Sequence, residues 1–223
     1  MAATTPAHDH DHDDLVFHQY EDLAQQRDSY IVGMWAFLVT EIMMFGALFF
    51  TYTLYRMKYQ PYFYELHKEL SVQWGGLNTV VLLFSSFAMA MAVYSHQVQK
   101  KKNTLMWLTV VQVCAAAFLV IKLACEWSVK IAHHHVPWDF QWHEKGVPPE
   151  IAKLFFSMYF AMTGLHGLHV LIGMICIGIL QFLIWKDRYS VKDYIPTEMV
   201  GLYWHFVDIV WIFLFPLYYL MPQ

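Results

Sequence analysis

Five apolar segments, at about residues 31–55, 77–98, 104–129, 155–185 and 198–221, each reach the roughly 20-residue length that a helix needs to cross a hydrocarbon core. A soluble core would not require so much apolar chain. The composition agrees with a membrane protein, at 58% hydrophobic, 18% aromatic and only 14% charged residues. In lipid the backbone must satisfy its own hydrogen bonds, so the expected fold class is all-α, a multi-pass transmembrane bundle of five helices. The expected organisation is an acidic His-rich tail over residues 1–30 and a five-helix membrane domain over residues 31–223. Boundary signals sit where the segments need them: Pro61 in the first loop, Gly75-Gly76 ahead of the second span, Lys100-Lys101-Lys102 after it and Pro148-Pro149 ahead of the fourth. The fourth run is longer than a crossing requires and is expected to tilt or protrude.

The net charge of -4 arises largely in the first stretch, where Asp9, Asp11, Asp13, Asp14, Glu21, Asp22 and Asp28 outnumber Arg27. This argues against a nucleic-acid partner and against a polybasic lipid-binding arm. Lys100 to Lys102 and Lys186, Arg188 and Lys192 are concentrated in two short loops, against the more scattered Arg56, Lys58, Lys68, Lys130, Lys145 and Lys153 on the other side. The positive-inside rule therefore favours a cytoplasmic N-terminus and an outside C-terminus. No basic start, apolar middle and small-residue cleavage site precede the first span, which is expected to stay in the mature protein. Cys114, Cys125 and Cys176 stand in apolar runs without Cys-x-x-Cys spacing and read as small buried hydrophobes. The loop from about 130 to 151, with His133, His134, His135, Trp138 and Trp142, suits an interfacial cap on the helix ends.

Ionisable groups inside apolar spans are costly and need partners. Glu41 falls near mid-membrane depth in Thr40-Glu41-Ile42-Met43-Met44-Phe45; it can relay protons or hold helices together, and the structural role is favoured because no second carboxyl is nearby in sequence. Lys122 and Glu126, four residues apart, suit an ion pair that cancels charge, while a functional alternative makes Glu126 the partner of His166, His169 or His205. In Tyr203-Trp204-His205-Phe206-Val207-Asp208-Ile209-Val210-Trp211, His205 and Asp208 share a helical face among bulky aromatics. His166 and His169 have the side chains for haem or copper, but nothing in sequence completes a ligand set. Packing through Gly164, Gly167 and Gly173, with interhelical hydrogen bonds, is favoured. The alternating His8, His10 and His12 can take up metal adventitiously without forming a preorganised cage. No phosphate loop, dinucleotide fingerprint, zinc-protease helix or nucleophile elbow is present, so no catalytic residue, cofactor-binding residue or metal site is assigned to this chain.

Taken together, Thr40 to Phe45, Leu77-Asn78-Thr79-Val80-Val81-Leu82-Leu83, Glu126, Gly164-Leu165-His166-Gly167-Leu168-His169-Val170-Leu171-Ile172-Gly173 and Tyr203 to Trp211 resemble subunit III of the cytochrome c oxidase family, within the haem-copper oxidases. The resemblance runs from about Gly33 to the C-terminus. It implies a noncatalytic subunit of a proton-pumping oxidase in a prokaryotic cytoplasmic membrane, without a redox cofactor of its own. The partners implied are subunit I, with haem and copper, subunit II, with the electron-entry copper, membrane phospholipids and further respiratory-complex subunits. The usual long form has seven spans, and this chain looks like the five-span form, which leaves open the shape of the family's V-shaped lipid cleft. By the same resemblance Glu41 matches an intramembrane, carbodiimide-sensitive glutamate, and subunit III with its lipids stabilises subunit I, sustains proton uptake and protects against turnover-linked inactivation; a part in oxygen delivery has been proposed. The roles this implies are cleft organisation for Glu41, interhelical polar bonding for Glu126, His205 and Asp208, and packing and lipid contact for His166 and His169. Competing readings are the corresponding subunit of a quinol oxidase or nitric oxide reductase, and an independent channel lined by Glu41, Lys122 and Glu126.

Overall fold

The structure, a computed structural model, describes residues 22–136, 139–140, 142, 146–186 and 194–220. His8, His10 and His12 of the tail, and Trp138, Lys145, Arg188 and Lys192, lie outside the described residues. Among the described residues five helical runs are long and apolar enough to span a membrane: Ala24–Lys58, Val72–Gln97, Lys101–Ala132, Pro149–Trp185 and Ile195–Tyr219. The chain is all-helical, as its five apolar segments require, apart from a two-residue antiparallel ladder in the third loop.

In chain order α1 is Leu23–Lys58, α2 is the short Gln60–Leu66, α3 is Val72–Gln97 and α4 is Lys101–Ile121. A wide π turn over Lys122–Trp127 carries α4 into α5, Ser128–Ala132; α6 is Pro149–Trp185 and α7 is Ile195–Tyr219. Local chemistry sets the ends. The Asp22 carboxylate caps α1 by accepting from the Gln25 N–H at 2.7 Å, and this start lies several residues ahead of the apolar run. Prolines occupy the first turn of α2, α6 and α7, where a missing N–H costs nothing. Only Val98 to Lys100 join α3 to α4, with Gln99 at φ 60°, so these helices form an antiparallel pair.

Helix α7 is fastened to α3 along most of its length. The Trp204 indole N–H donates to Ser85 Oγ at 3.1 Å and the Trp211 indole N–H donates to Thr79 Oγ1 at 3.0 Å. His205 Nδ1 lies 2.8 Å from Ser86 Oγ, and His96 Nδ1 lies 2.6 Å from Thr197 Oγ1. Such bonds, together with small residues that admit a bulky neighbour, join helices where lipid supplies no hydrophobic drive between them. Gly75, expected ahead of the second span, stands inside α3, and a Cβ there would lie 2.9 Å from the Tyr219 ring.

By contrast α1 touches the bundle with a narrow stripe, Leu38, Phe45 and Tyr52, spaced seven residues apart. Its other faces expose Trp35, Val39, Met43, Phe50 and Leu54. At the far end of the molecule His135 of the ladder stacks on Phe156 at 5.0 Å and lies 5.2 Å from Trp142, so the third loop folds onto the start of α6.

Gly173 is the tightest glycine contact: an added Cβ would meet the Trp204 ring at 2.8 Å. That ring is fully buried and tethered by its bond to Ser85. Gly173→Ala is therefore expected to cost about 1–3 kcal/mol through overpacking, read as a lowered thermal midpoint of the purified protein. An unchanged midpoint would mean that the indole can move aside.

Candidate functional site: buried polar pairs between the helices

Lys122 and Glu126 are both buried, on the π turn that interrupts the third span. The ammonium uses all three of its donors: Glu126 Oε2 at 2.6 Å, Tyr219 OH at 2.6 Å and Tyr159 OH at 3.1 Å. Both tyrosine hydroxyls pass their own hydrogens to Glu126 Oε2, Tyr159 at 2.8 Å and Tyr219 through a very short contact. The ammonium also lies 4.9 Å from the centroid of the Trp211 ring. This order, base before acid, is the weaker one for a bare helical pair, and the two hydroxyls from α6 and α7 compensate. Lys122 lies 21 residues beyond Lys101, roughly 30 Å along the helix, so the cluster sits at the membrane face opposite the Lys100–Lys102 turn. One turn further, Lys130 Nζ donates to the Glu69 carbonyl at 3.1 Å and ties the two loops of that face together.

Glu41 finds its partner 128 residues away, where no sequence spacing could show it: His169 Nε2 lies 3.0 Å from Glu41 Oε2. His169 Nδ1 is 2.8 Å from the Leu165 carbonyl, which only accepts, so Nδ1 carries a hydrogen. Nε2 then either accepts from a protonated Glu41 or donates to its carboxylate. In both arrangements the pair shares one proton and is neutral overall, which suits its place near the middle of α1 and α6. Phe45 meets the imidazole edge-on at 5.2 Å, and the Tyr203 hydroxyl donates to the His169 carbonyl at 3.1 Å.

The remaining sequence candidates separate. Glu126 is bonded to Lys122, Tyr159 and Tyr219, not to His166, His169 or His205. His205 is bonded to Ser86, while Asp208, 3% exposed, lies beside the same Ser86 hydroxyl without a well-formed hydrogen bond of its own among the described residues. His166 is 1% exposed between Phe118 and Trp211, with ring centroids 5.5 and 5.2 Å away, so it meets protein on both faces. Gly164 faces Trp127 and Gly167 faces Leu119 more loosely than Gly173 faces Trp204. His166 and His169 thus turn to different neighbours, and no group of three or more His, Cys, Asp or Glu side chains converges among the described residues.

Sequence reasoning missed Tyr159 and Tyr219, and the hydroxyls of Thr79, Ser85, Ser86 and Thr197. The signal available was hydroxyls recurring on one side of an otherwise apolar helix. A groove of about 380 Å³ opens between α1 and α7, lined by apolar residues such as Trp35, Ile42, Phe49, Leu202 and Phe213, with His205 its one ionisable side chain.

Removing one partner of a buried ion pair strands the other charge. Lys122→Met alone is expected to destabilise the subunit by about 3–5 kcal/mol. Adding Glu126→Leu should recover much of that loss in thermal unfolding, and a double variant as unstable as the sum of the singles would show that the tyrosines, not the pair, carry the cluster.

A family profile described as cytochrome c oxidase subunit III matches residues 146–222, which hold α6 and α7. The chain is 30% identical over 196 residues to a probable quinol oxidase subunit 3 of Staphylococcus epidermidis, covering 85% of this chain and 88% of that protein. It is 29% identical over 221 residues to cytochrome c oxidase subunit 3 of a Synechocystis species, covering 97% and 82%, and 28% identical over 193 residues to the cytochrome bo(3) ubiquinol oxidase subunit 3 of Pseudomonas putida, covering 86% and 85%. The chain, a multi-pass membrane subunit with five spans, belongs to the subunit III family of the haem-copper terminal oxidases.

Proposed function

We propose that this chain is the noncatalytic subunit III of a proton-pumping cytochrome c oxidase in a prokaryotic cytoplasmic membrane. As subunit III of a respiratory oxidase complex it associates with other oxidase subunits. In this reading these are a haem- and copper-bearing subunit I and a subunit II with the electron-entry copper, and the chain itself supplies stability, bound lipid and sustained proton uptake. Cytochrome c as donor follows the motif resemblance, and the Synechocystis cytochrome c oxidase subunit, aligned over 97% of the chain, supports it. The quinol reading is the second one, supported by the two quinol oxidase relatives. An independent channel is disfavoured because the polar groups form separate, internally paired clusters at mid-span and at one membrane face.

Within this reading Glu41 and His169 latch α1 to the bundle, Lys122 and Glu126 close the far face, and His205 and Asp208 belong to the α3–α7 seam. The groove between α1 and α7 is a bed for phospholipid acyl chains, since its lining, His205 apart, is apolar along about 20 Å of α1. The loop charges support a cytoplasmic N-terminus and an outside C-terminus. The acidic segment over residues 1–30 acts as a tail, with α1 beginning inside its last part.

Gentle detergent purification through this chain, followed by subunit mass spectrometry and reduced-minus-oxidised spectra, tests the assignment. Copurified haem and copper subunits that consume oxygen with cytochrome c support it; turnover only with quinol moves the donor to the second reading, and a haem-free conducting chain would sink both. Glu41→Gln is expected to leave haem reduction and initial oxygen uptake near those of the unmodified complex and to shorten sustained turnover or lower retained lipid. Loss of oxygen reduction in a normally assembled Glu41→Gln complex would contradict a supporting role.

A further inference from the structure

Among the described residues Trp127, Trp142 and Tyr218 each leave their one buried polar atom without a hydrogen bond, and Asn78, His166 and Asp208 each leave two. The last three are 0%, 1% and 3% exposed, so no neighbouring subunit or lipid reaches them. Trp211 relates their places in the fold. The His166 ring lies 5.2 Å from that of Trp211, the Trp211 N–H is held by Thr79 beside Asn78, and Asp208 precedes Trp211 by one turn on the face towards α3. The pairings of Trp204 with Ser85, His205 with Ser86 and Trp211 with Thr79 set Asp208 level with Leu82, one turn from Asn78. That turn is about 6 Å of rise, the length of two hydrogen bonds in series through one water.

The nearby protein groups are already committed. The Thr79 hydroxyl donates to the Gly75 carbonyl and accepts from Trp211. Ser86 lies beside Asp208 and also meets His205, so its single hydrogen serves at most one Asp208 oxygen and leaves the other without a protein donor. The Lys122 ammonium spends its hydrogens on Glu126, Tyr159 and Tyr219. Leaving a buried donor or acceptor unsatisfied costs about 1–3 kcal/mol each, so each of these side chains calls for a partner. We propose that Asn78, His166 and Asp208 hold ordered water inside the bundle, beside the Trp211 indole at the junction of α3, α4, α6 and α7. Water alone among candidate ligands is small enough for a packed core and both donates and accepts, as a carboxamide, an imidazole and a carboxyl together demand. The site joins the α3–α7 seam to the turn of α4 that leads into the Lys122 cluster, through Phe118 and Trp211 in edge contact at 4.9 Å.

Electron cryomicroscopy of the purified oxidase, at a resolution that shows ordered solvent, tests this without any variant. Density within about 3.2 Å of an Asp208 carboxyl oxygen, and of Asn78 or His166, is the expected result. A direct bond between Asn78 and Asp208, or the three side chains packed without density between them, overturns it. The second test measures the half-time for loss of this subunit on heating in Asn78→Leu, Asp208→Leu and the double variant. Shared water predicts that each single variant shortens the half-time about tenfold and that the double is no worse than the worse single, because the bridge is lost once. Leucine variants that match or outlast the unmodified complex, or whose effects multiply independently, mean a dry site. The density test decides the matter if a leucine variant does not assemble.

Discussion

Polar atoms inside a lipid-embedded bundle need partners from the protein or from water held inside it, because the surrounding hydrocarbon offers nothing in return. That constraint explains why α3 carries hydroxyls at Thr79, Ser85 and Ser86 in an otherwise apolar run: each answers a side chain of α7, two indoles and an imidazole. The bonds set the register of the two helices. Gly75 and Gly173 then admit the Tyr219 and Trp204 rings where ordinary side chains would collide. The core is thus organised by a few directional contacts, while the large aromatics fill the volume between them.

The same constraint governs charge. Lys122 and Glu126 neutralise one another and are wrapped by two tyrosine hydroxyls and an indole face. Glu41 and His169 reach neutrality by sharing one proton. The two pairs do different mechanical work. The first closes α4, α6 and α7 at one membrane face, where Lys130 also holds the first loop. The second supplies the polar contact of α1 with α6, beside the stripe of Leu38, Phe45 and Tyr52. An element attached by so narrow a stripe is the one most readily displaced, and its outer face is the broad apolar surface left for lipid or neighbouring subunits.

Five crossings, their order and the in-span polar residues were legible from the sequence, because hydrophobic length and isolated charge are local properties that survive without a structure. So was the Lys122–Glu126 pair, whose members are one turn apart. The helix ends were less legible. Gly75-Gly76 read as a boundary, since glycine marks helix ends as often as close packing, and only the Tyr219 ring against it tells the two apart. The start of α1 read late because the capping Asp22 and the polar first turns carry no hydrophobic signal.

Partnership was decided by tertiary structure alone. No sequence spacing shows the partner of Glu41, and Glu126 had three histidines to choose among besides the neighbouring Lys122. The bundle assigns His169 to Glu41, Ser86 to His205, and Tyr159 and Tyr219 to Glu126, across separations of 128, 119, 33 and 93 residues. The sequence by itself determined that this protein is a five-span helical bundle with polar groups in need of partners. Which partners they took depended on helix register and rotation, which are set by the sum of many long-range packing contacts and are therefore not encoded in any one segment.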